Sequence, residues 1–365
     1  MSTETSTPPV PTSRVSRTAA RKRRQRLMAA VAAFAIVGGA AWLLLPGDDA
    51  PLRHSVTAPS GAGAPSVVPP TTIAISVRDA AVPLIAVVHV GGDGDIPALT
   101  IPADMQLEVP GLGDSSTAGI ARQNAEGMRA SLSNTLGTWI DHYLVLDMHQ
   151  IAVLDDAAGG FTLTLPGAVT LSGGVVGPGQ VTMDGTQLSE YLGIDGPNAF
   201  TRWEVVLPAL LTARTGGSLT GQSDQLEAVA KLLPVGAPVR IDTFPTHMSA
   251  SSSRVPDFDA LDAMMASDFG VTTPPVPVLV QNGVGDPGIA SQVPALLVPE
   301  GFRIVLSVNA DSFDHKTTLV IAGGEDHVAD ARRARRALGV GELGVTEVPS
   351  GLADITIVIG KDFTA

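Results

Sequence analysis

Nineteen residues from Leu27 to Leu45, LMAAVAAFAIVGGAAWLLL, carry no charge, and this run constrains everything else the chain can be. As a helix rising about 1.5 Å per residue it is about 28 Å long, close to the hydrocarbon thickness of a bilayer. Ahead of it stand Arg14, Arg17, Arg21, Lys22, Arg23, Arg24 and Arg26 against a single acid, Glu4; Asp48 and Asp49 follow it. A buried core helix has no reason to carry seven bases at one mouth. A membrane span does, because lysine and arginine are retained on the cytoplasmic side. The pattern predicts a basic cytoplasmic tail over 1–26, one transmembrane helix over 27–45, and everything later outside the plasma membrane. A cleaved secretory signal is the nearest rival. The small residues Gly38 to Ala41 lie inside the apolar run, which continues through Trp42, and this favours a retained anchor.

The part beyond the tail is acidic. From Leu27 onward there are 16 basic and 35 acidic residues, a formal net charge of −19. Such a surface repels DNA, RNA and anionic headgroups, so no nucleic-acid partner is expected. The chain has no cysteine, which removes both a disulfide framework and thiolate chemistry.

Composition then divides the remainder. Residues 46–70 are rich in Gly, Ala, Pro and Ser and read as a flexible tether. A first α/β domain is expected over 71–245, with strands at Thr72–Val77 and Leu84–Val90. Leu99–Ile101 and Met105–Val109 read as a second strand pair. One helix is expected over Ile120–Leu136, where Ile120, Met128, Leu132 and Leu136 recur and Gly137 supplies a cap. Strand His142–Leu146, helix Met148–Ala157, strands Phe161–Leu165 and Gly179–Met183, and helices Thr186–Leu192, Val205–Leu211 and Leu226–Leu233 follow. Residues 246–273 read as a link with a short helix near Phe258–Met265. A second α/β domain over 274–365 alternates strand and helix: Val276–Val280, Gly288–Leu297, Phe302–Val308, Thr317–Ile321, His327–Leu338, Ile355–Ile359.

Local chemistry is sparse. Gly173–Gly179 lacks the Lys-Ser/Thr of a phosphate loop and reads as a glycine-rich hairpin. Asp141, His142, Asp147 and His149 form the best histidine cluster, and Asp93, Asp95, Asp155 and Asp156 pair carboxylates of the kind a divalent cation takes. Strand ends, turns and helix caps use the same residues, and that is the simpler reading. Arg332, Arg333, Arg335 and Arg336 sit in the last turns of an expected helix, complementing its dipole while Val328, Ala331 and Leu338 face inward. The most telling feature is an absence. No lysine lies between Lys22 and Lys231, and from Thr71 to Arg214 the bases are Arg78, Arg122, Arg129, Arg202 and Arg214.

That scarcity matters because several stretches resemble the LytR-CpsA-Psr family of cell-envelope proteins: Leu99-Thr-Ile-Pro-Ala-Asp104, Ile140-Asp-His-Tyr-Leu-Val-Leu-Asp147, Leu154-Asp-Asp-Ala-Ala-Gly-Gly160, Met183 to Tyr191, and Arg202 to Leu210. The second domain, opening with Val278 to Ala290 and ending with Ala353 to Phe363, resembles the LytR C-terminal domain. The resemblance implies a central sheet flanked by helices and, with Mg²⁺, transfer of a polyprenyl-pyrophosphate-linked glycopolymer to peptidoglycan. A pyrophosphate site needs arginines or a metal. Here the family's arginines fall at Ala81, Ala103, Gly193 and Ala199; only Asp104 and Arg202 survive, with Arg78 near the first loss. No clean equivalent of its Lys-Ile-Asn motif precedes Gln123-Asn124. The expectation is therefore a membrane-anchored envelope protein whose family domain is non-catalytic and needs no cofactor. It would bind a lipid-linked precursor, a wall glycopolymer, peptidoglycan or another envelope protein. Two alternatives remain open: a divergent transferase using Asp104, Arg202 and Arg78, or a scaffold acting through its C-terminal domain.

Overall fold

The computed structural model describes residues 70–91, 95–196, 198–212, 238–286, 288–346 and 351–364. The basic tail, the Leu27–Leu45 run, the tether up to residue 69, Asp93 and the helix expected at Leu226–Leu233 lie outside them. Among the described residues no helix is long and apolar enough to cross a membrane.

The first domain is organised by β1 (Thr71–Val77), β2 (Leu84–Val90) and β3 (Ile96–Ile101). Every residue of β1 is buried, which is why its sequence is apolar or β-branched at every position but Ser76 rather than alternating. β4 (Gln106–Val109) and β5 (Gly113–Ser116) form a hairpin, followed by α1 (Thr117–Gln123) and α2 (Ala125–Leu136). Then come β6 (His142–Leu146), α3 (Met148–Ala158), β7 (Phe161–Leu165), β8 (Val169–Leu171), β9 (Gly174–Val176) and β10 (Gly179–Met183). α4 (Gly185–Gly193), α5 (Ala199–Thr212), β11 (Val239–Thr243), β12 (Thr246–Met248), β13 (Arg254–Pro256) and α6 (Phe258–Asp268) complete it. The central sheet has the order β11-β3-β2-β1-β6. β1 is parallel to β6 and β3 to β11, while β2 runs against both neighbours. The carboxyl ends of β1, β3, β6 and β11 consequently open on one side.

Each face of the sheet carries its own core. Ile73, Ile75 and Val77 pack with Leu154, Leu188, Trp203 and Leu207 from α3, α4 and α5. Ala74, Val87, Leu99 and Ile101 pack with Met128, Leu132, Leu136, Leu261 and Met265 from α2 and α6. Helix starts follow local chemistry. Asp147 and Asp184 cap α3 and α4 in reciprocal boxes with Gln150 and Gln187, and Gly159 ends α3 in the left-handed conformation.

Several expectations need correcting. Leu99–Ile101 and Met105–Val109 do not pair; β3 joins the central sheet, whereas β4 turns back on β5, whose Gly-Asp-Ser-Ser sequence has no apolar alternation. The helix expected over Ile120–Leu136 is two. Asn124 is extended (φ −150°, ψ 102°), and its side chain accepts from Gly127 N–H to cap the second. The apolar spacing leaves a gap there that an unbroken helix would not need. Residues 246–273 are not a link, because Leu261, Met265 and Phe269 are buried in the second core. The glycine-rich segment, by contrast, is a hairpin as expected, β8 on β9.

The second domain contains β14 (Val276–Asn282), α7 (Val293–Leu297), β15 (Phe302–Asn309), β16 (Leu319–Ala322), α8 (Val328–Leu338), β17 (Glu342–Val345) and β18 (Ile355–Ile359). Its sheet runs β15-β14-β18-β16-β17, so β15 is an edge. That edge faces the first domain. The Asn134 carboxamide, 2% exposed, donates to the Ile304 carbonyl at 2.8 Å and accepts from Ile304 N–H at 2.6 Å. One side chain takes the place of a neighbouring strand. Arg303 forks onto Asp262 at 2.5 and 3.3 Å, with its guanidinium 4.6 Å from the Phe258 ring. Gly137, at φ +69°, packs so closely on Pro275 that an added Cβ would lie 2.2 Å from Pro275 Cγ.

Candidate functional site

In an open α/β sheet, loops beyond the carboxyl ends of parallel strands converge and are free to hold a ligand. Here those loops carry Arg78 and Asp79 after β1, Pro102 to Asp104 after β3, and Asp147 at the start of α3. The structure brings some of the candidate residues to this end but gives each a different occupation. Arg78 is exposed; its N–H donates to the Leu146 carbonyl at 3.1 Å, and its side chain has no partner among the described residues. Asp79 accepts from Met148 N–H at 2.8 Å, steadying the start of α3. Asp104 is exposed and its Oδ1 accepts from Arg254 Nε at 3.0 Å; Arg254 also donates to Thr246 Oγ1 at 3.2 Å. The Asp104 loop is itself fixed, since Thr117 Oγ1 donates to the Pro102 carbonyl at 2.5 Å.

Arg202 lies within α5, on the face of the sheet where Trp203 and Leu207 pack. It is 9% exposed, donates to the Ile194 carbonyl, and stands 6.0 Å from the ring of buried Tyr191. Its Nε is buried without a partner. Burial raises the Tyr191 phenol above its usual range, with the Arg202 charge opposing the shift. Two residues further on, Glu204 Oε1 accepts from Thr100 Oγ1 at 3.0 Å and Thr243 Oγ1 at 2.8 Å, tying α5 to the ends of β3 and β11. Beside it a groove of about 340 Å³ runs between β7 and α5, lined by Thr162, Thr164, Glu204, Val205, Pro208 and Thr212. No hydrogen bond or ion pair joins Asp104, Arg78 and Arg202 to one another.

Sequence reasoning missed Arg122. Its Nη2 donates to the Ala81 carbonyl at 3.3 Å, in the loop after β1 where an expected arginine is absent. The available signal was a base directly ahead of Gln123-Asn124. Arg78 and Arg122 thus both border one loop.

The carboxylate and histidine pairs have duties within the fold. Asp141 accepts from Thr72 N–H at 2.8 Å, Asp147 caps α3, and His142 and His149 are exposed. Asp155 is fully buried; its Oδ1 accepts from Phe161 N–H, and its Oδ2 has no partner. Burial, with Asp156 and Asp184 nearby, pushes its carboxyl up to about 6. Asp156 accepts from Gly185 N–H at 2.8 Å. Among the described residues no group of three His, Asp or Glu side chains could hold a metal ion. Mg²⁺ takes oxygen ligands, and Asp104 stands outside any such group, with its Oδ1 engaged by Arg254. In the second domain Arg333 pairs with Asp330 at 2.9 Å and lies 4.7 Å from the Phe302 ring, while Ala331 and Leu338 are buried as expected.

Residues 275–363 match the family model described as the LytR cell envelope-related transcriptional attenuator. The second domain is a LytR C-terminal domain. The pattern that opens with Val278 and closes with Phe363 falls within this match. No curated protein matches the chain. Solved structures do. TagU of Bacillus subtilis is 16% identical, with 56% of this chain and 97% of that one covered, at a TM-score of 0.43. TagV of the same organism is 14% identical over 56% and 98%, at 0.46. The LytR-CPS2A-psr family protein TagT with bound octaprenyl pyrophosphate lipid is 15% identical over 55% and 91%, at 0.44.

Proposed function

We propose that this chain is an envelope protein, held in the cell membrane by Leu27–Leu45. Its first domain would bind a lipid-linked or wall glycopolymer without transferring it. One observation carries the non-catalytic part. The single surviving arginine of the family's paired motif, Arg202, is buried and engaged with the Ile194 carbonyl, while Asp104 is joined to Arg254. Transfer from a pyrophosphate carrier needs cations aimed at charge that develops on the leaving group. Two arginines facing different neighbours do not supply this. The envelope part rests on the LytR C-terminal domain at 275–363 and on the apolar run with its basic flank.

The test uses a labelled polyprenyl-pyrophosphate-linked polymer with Mg²⁺ and purified protein. Binding without release of the pyrophosphate lipid is the expected result. Release that disappears in Arg202→Ala would refute the reading.

A second reading has its own observation. Arg78 and Arg122 border one loop at the carboxyl end of the sheet, where an anionic group would be received. If release occurs and is lost in Arg78→Ala or Arg122→Ala but kept in Arg202→Ala, the domain is a divergent transferase with relocated arginines.

A further inference from the structure

β15 is an edge strand used only in part. The bond from Val276 N–H to the Gly301 carbonyl at one end, and from Ala310 N–H to the Asn282 carbonyl at the other, fix which of its residues face β14. A register irregularity lies between them. Ile304, Ser307 and Asn309 then face outward. Asn134 occupies Ile304, and Glu108 Oε1 accepts from Ser307 N–H at 3.1 Å. Beyond that point the Ser307 carbonyl and both backbone groups of Asn309 have no partner among the described residues. An open strand edge is a template for another extended chain.

The open stretch lines a cleft of about 370 Å³ between the two domains. Its far wall is the β4–β5 turn, where Gly111 sits so close to Ala290 and Ser291 that an added Cβ would come within 3.2 Å of both. Two of the exposed large apolar side chains, Leu112 (71%) and Phe313 (47%), stand at this cleft, and both line it. The rim is acidic. Asp114 and Asp286 adjoin lining residues, are exposed, and have no basic partner among the described residues. Backbone groups, apolar contacts and negative charge are thus presented together.

We infer that this cleft receives an extended, lysine-bearing peptide that adds to β15 as a strand. Alternate side chains of such a strand would contact Leu112 and Phe313, and its amines would meet Asp114 and Asp286. The Asn134 and Glu108 contacts set where the added strand must stop, because they already fill the edge toward Ile304.

The probe is fluorescein-labelled Lys-Val-Lys-Val-Lys, titrated by fluorescence anisotropy into the full-length chain in detergent micelles. Saturable binding is expected, with protection of the Asn309 amide from hydrogen exchange. Phe313→Ser and Leu112→Ser should each weaken binding at least about tenfold; both side chains are exposed, and unchanged melting temperatures confirm folding. N-methylation along one edge of the peptide should abolish binding, while methylation along the other edge should spare it. Equal binding of both methylated peptides would mean charge attraction alone and would overturn strand addition. So would no saturation up to about 1 mM. A dimer of this chain that Phe313→Ser dissociates, with no peptide binding, would assign the cleft to a second copy instead.

Discussion

Replacing Asn134 with alanine tests whether one carboxamide joins the two domains. Its Nδ2 and Oδ1 satisfy the carbonyl and N–H of Ile304 at 2.8 and 2.6 Å, in a site that is 2% exposed on the asparagine side. Alanine leaves one buried donor and one buried acceptor of an edge strand without partners. Each such group costs about 1–3 kcal/mol, so about 2–5 kcal/mol is expected once some water enters the gap. Domain docking would weaken roughly thirty-fold to several-thousand-fold. Native-state hydrogen exchange of the Ile304 amide reads this directly, and urea unfolding gives the free energy. Asn134→Asp is the informative companion. An ionised carboxylate still accepts from Ile304 N–H but sets a second oxygen against the Ile304 carbonyl. Docking in that variant should recover as the pH falls, because a protonated carboxyl can donate again. Unchanged Ile304 exchange with a stability change under about 0.5 kcal/mol in the alanine variant would refute the reasoning.

Three further outcomes follow from the packing of the fold. Gly137 and Gly159 share a left-handed backbone (φ +69° and +83°), but only Gly137 has Pro275 against it. Gly137→Ala should therefore lower the urea midpoint clearly more than Gly159→Ala, which carries only the conformational cost of about 1 kcal/mol. Burial and the Asp114 charge raise the Glu108 carboxyl from 4.5 to about 7, so the folded state holds that proton more tightly than the unfolded chain does. Its contribution to stability is full below about pH 4.5 and is lost as the pH rises to about 7; Glu108→Gln should remove its share of the fall in urea midpoint between about pH 4.5 and 7. Asp155, raised from 3.8 to about 6, acts with the same sign at lower pH, and Asp155→Asn should remove its share of the decline between pH 4 and 6.

Much of the architecture was legible along the chain. β1, β2 and β18 are apolar or β-branched at nearly every position, and the two sheets bury them almost throughout. α3 and α8 end at Gly159 and Gly339, each in the left-handed conformation that glycine adopts without strain. What failed had no local signal. The β5 sequence Gly-Asp-Ser-Ser is a strand only because β4 lies beside it. α5 begins at Ala199, six residues before the expected Val205, because Arg202 and Trp203 are buried under α4 and the sheet. Arg122 looked like one more surface base until the fold set it against the Ala81 loop.

The sequence by itself determined the charge-free run with its basic flank, the α/β alternation, the helix caps and the shortage of bases around any pyrophosphate. These are local or compositional properties, and short-range chemistry decides them. Tertiary structure alone decided what the remaining polar residues do. Asn134 meets Ile304 across 170 positions, and Glu108 meets Ser307 across 199. Arg202 is engaged by a carbonyl only eight residues away, yet its burial depends on the core that α5 covers. A hydrogen bond or a raised carboxyl depends on which groups exclude water from it, and that is fixed only when distant segments pack.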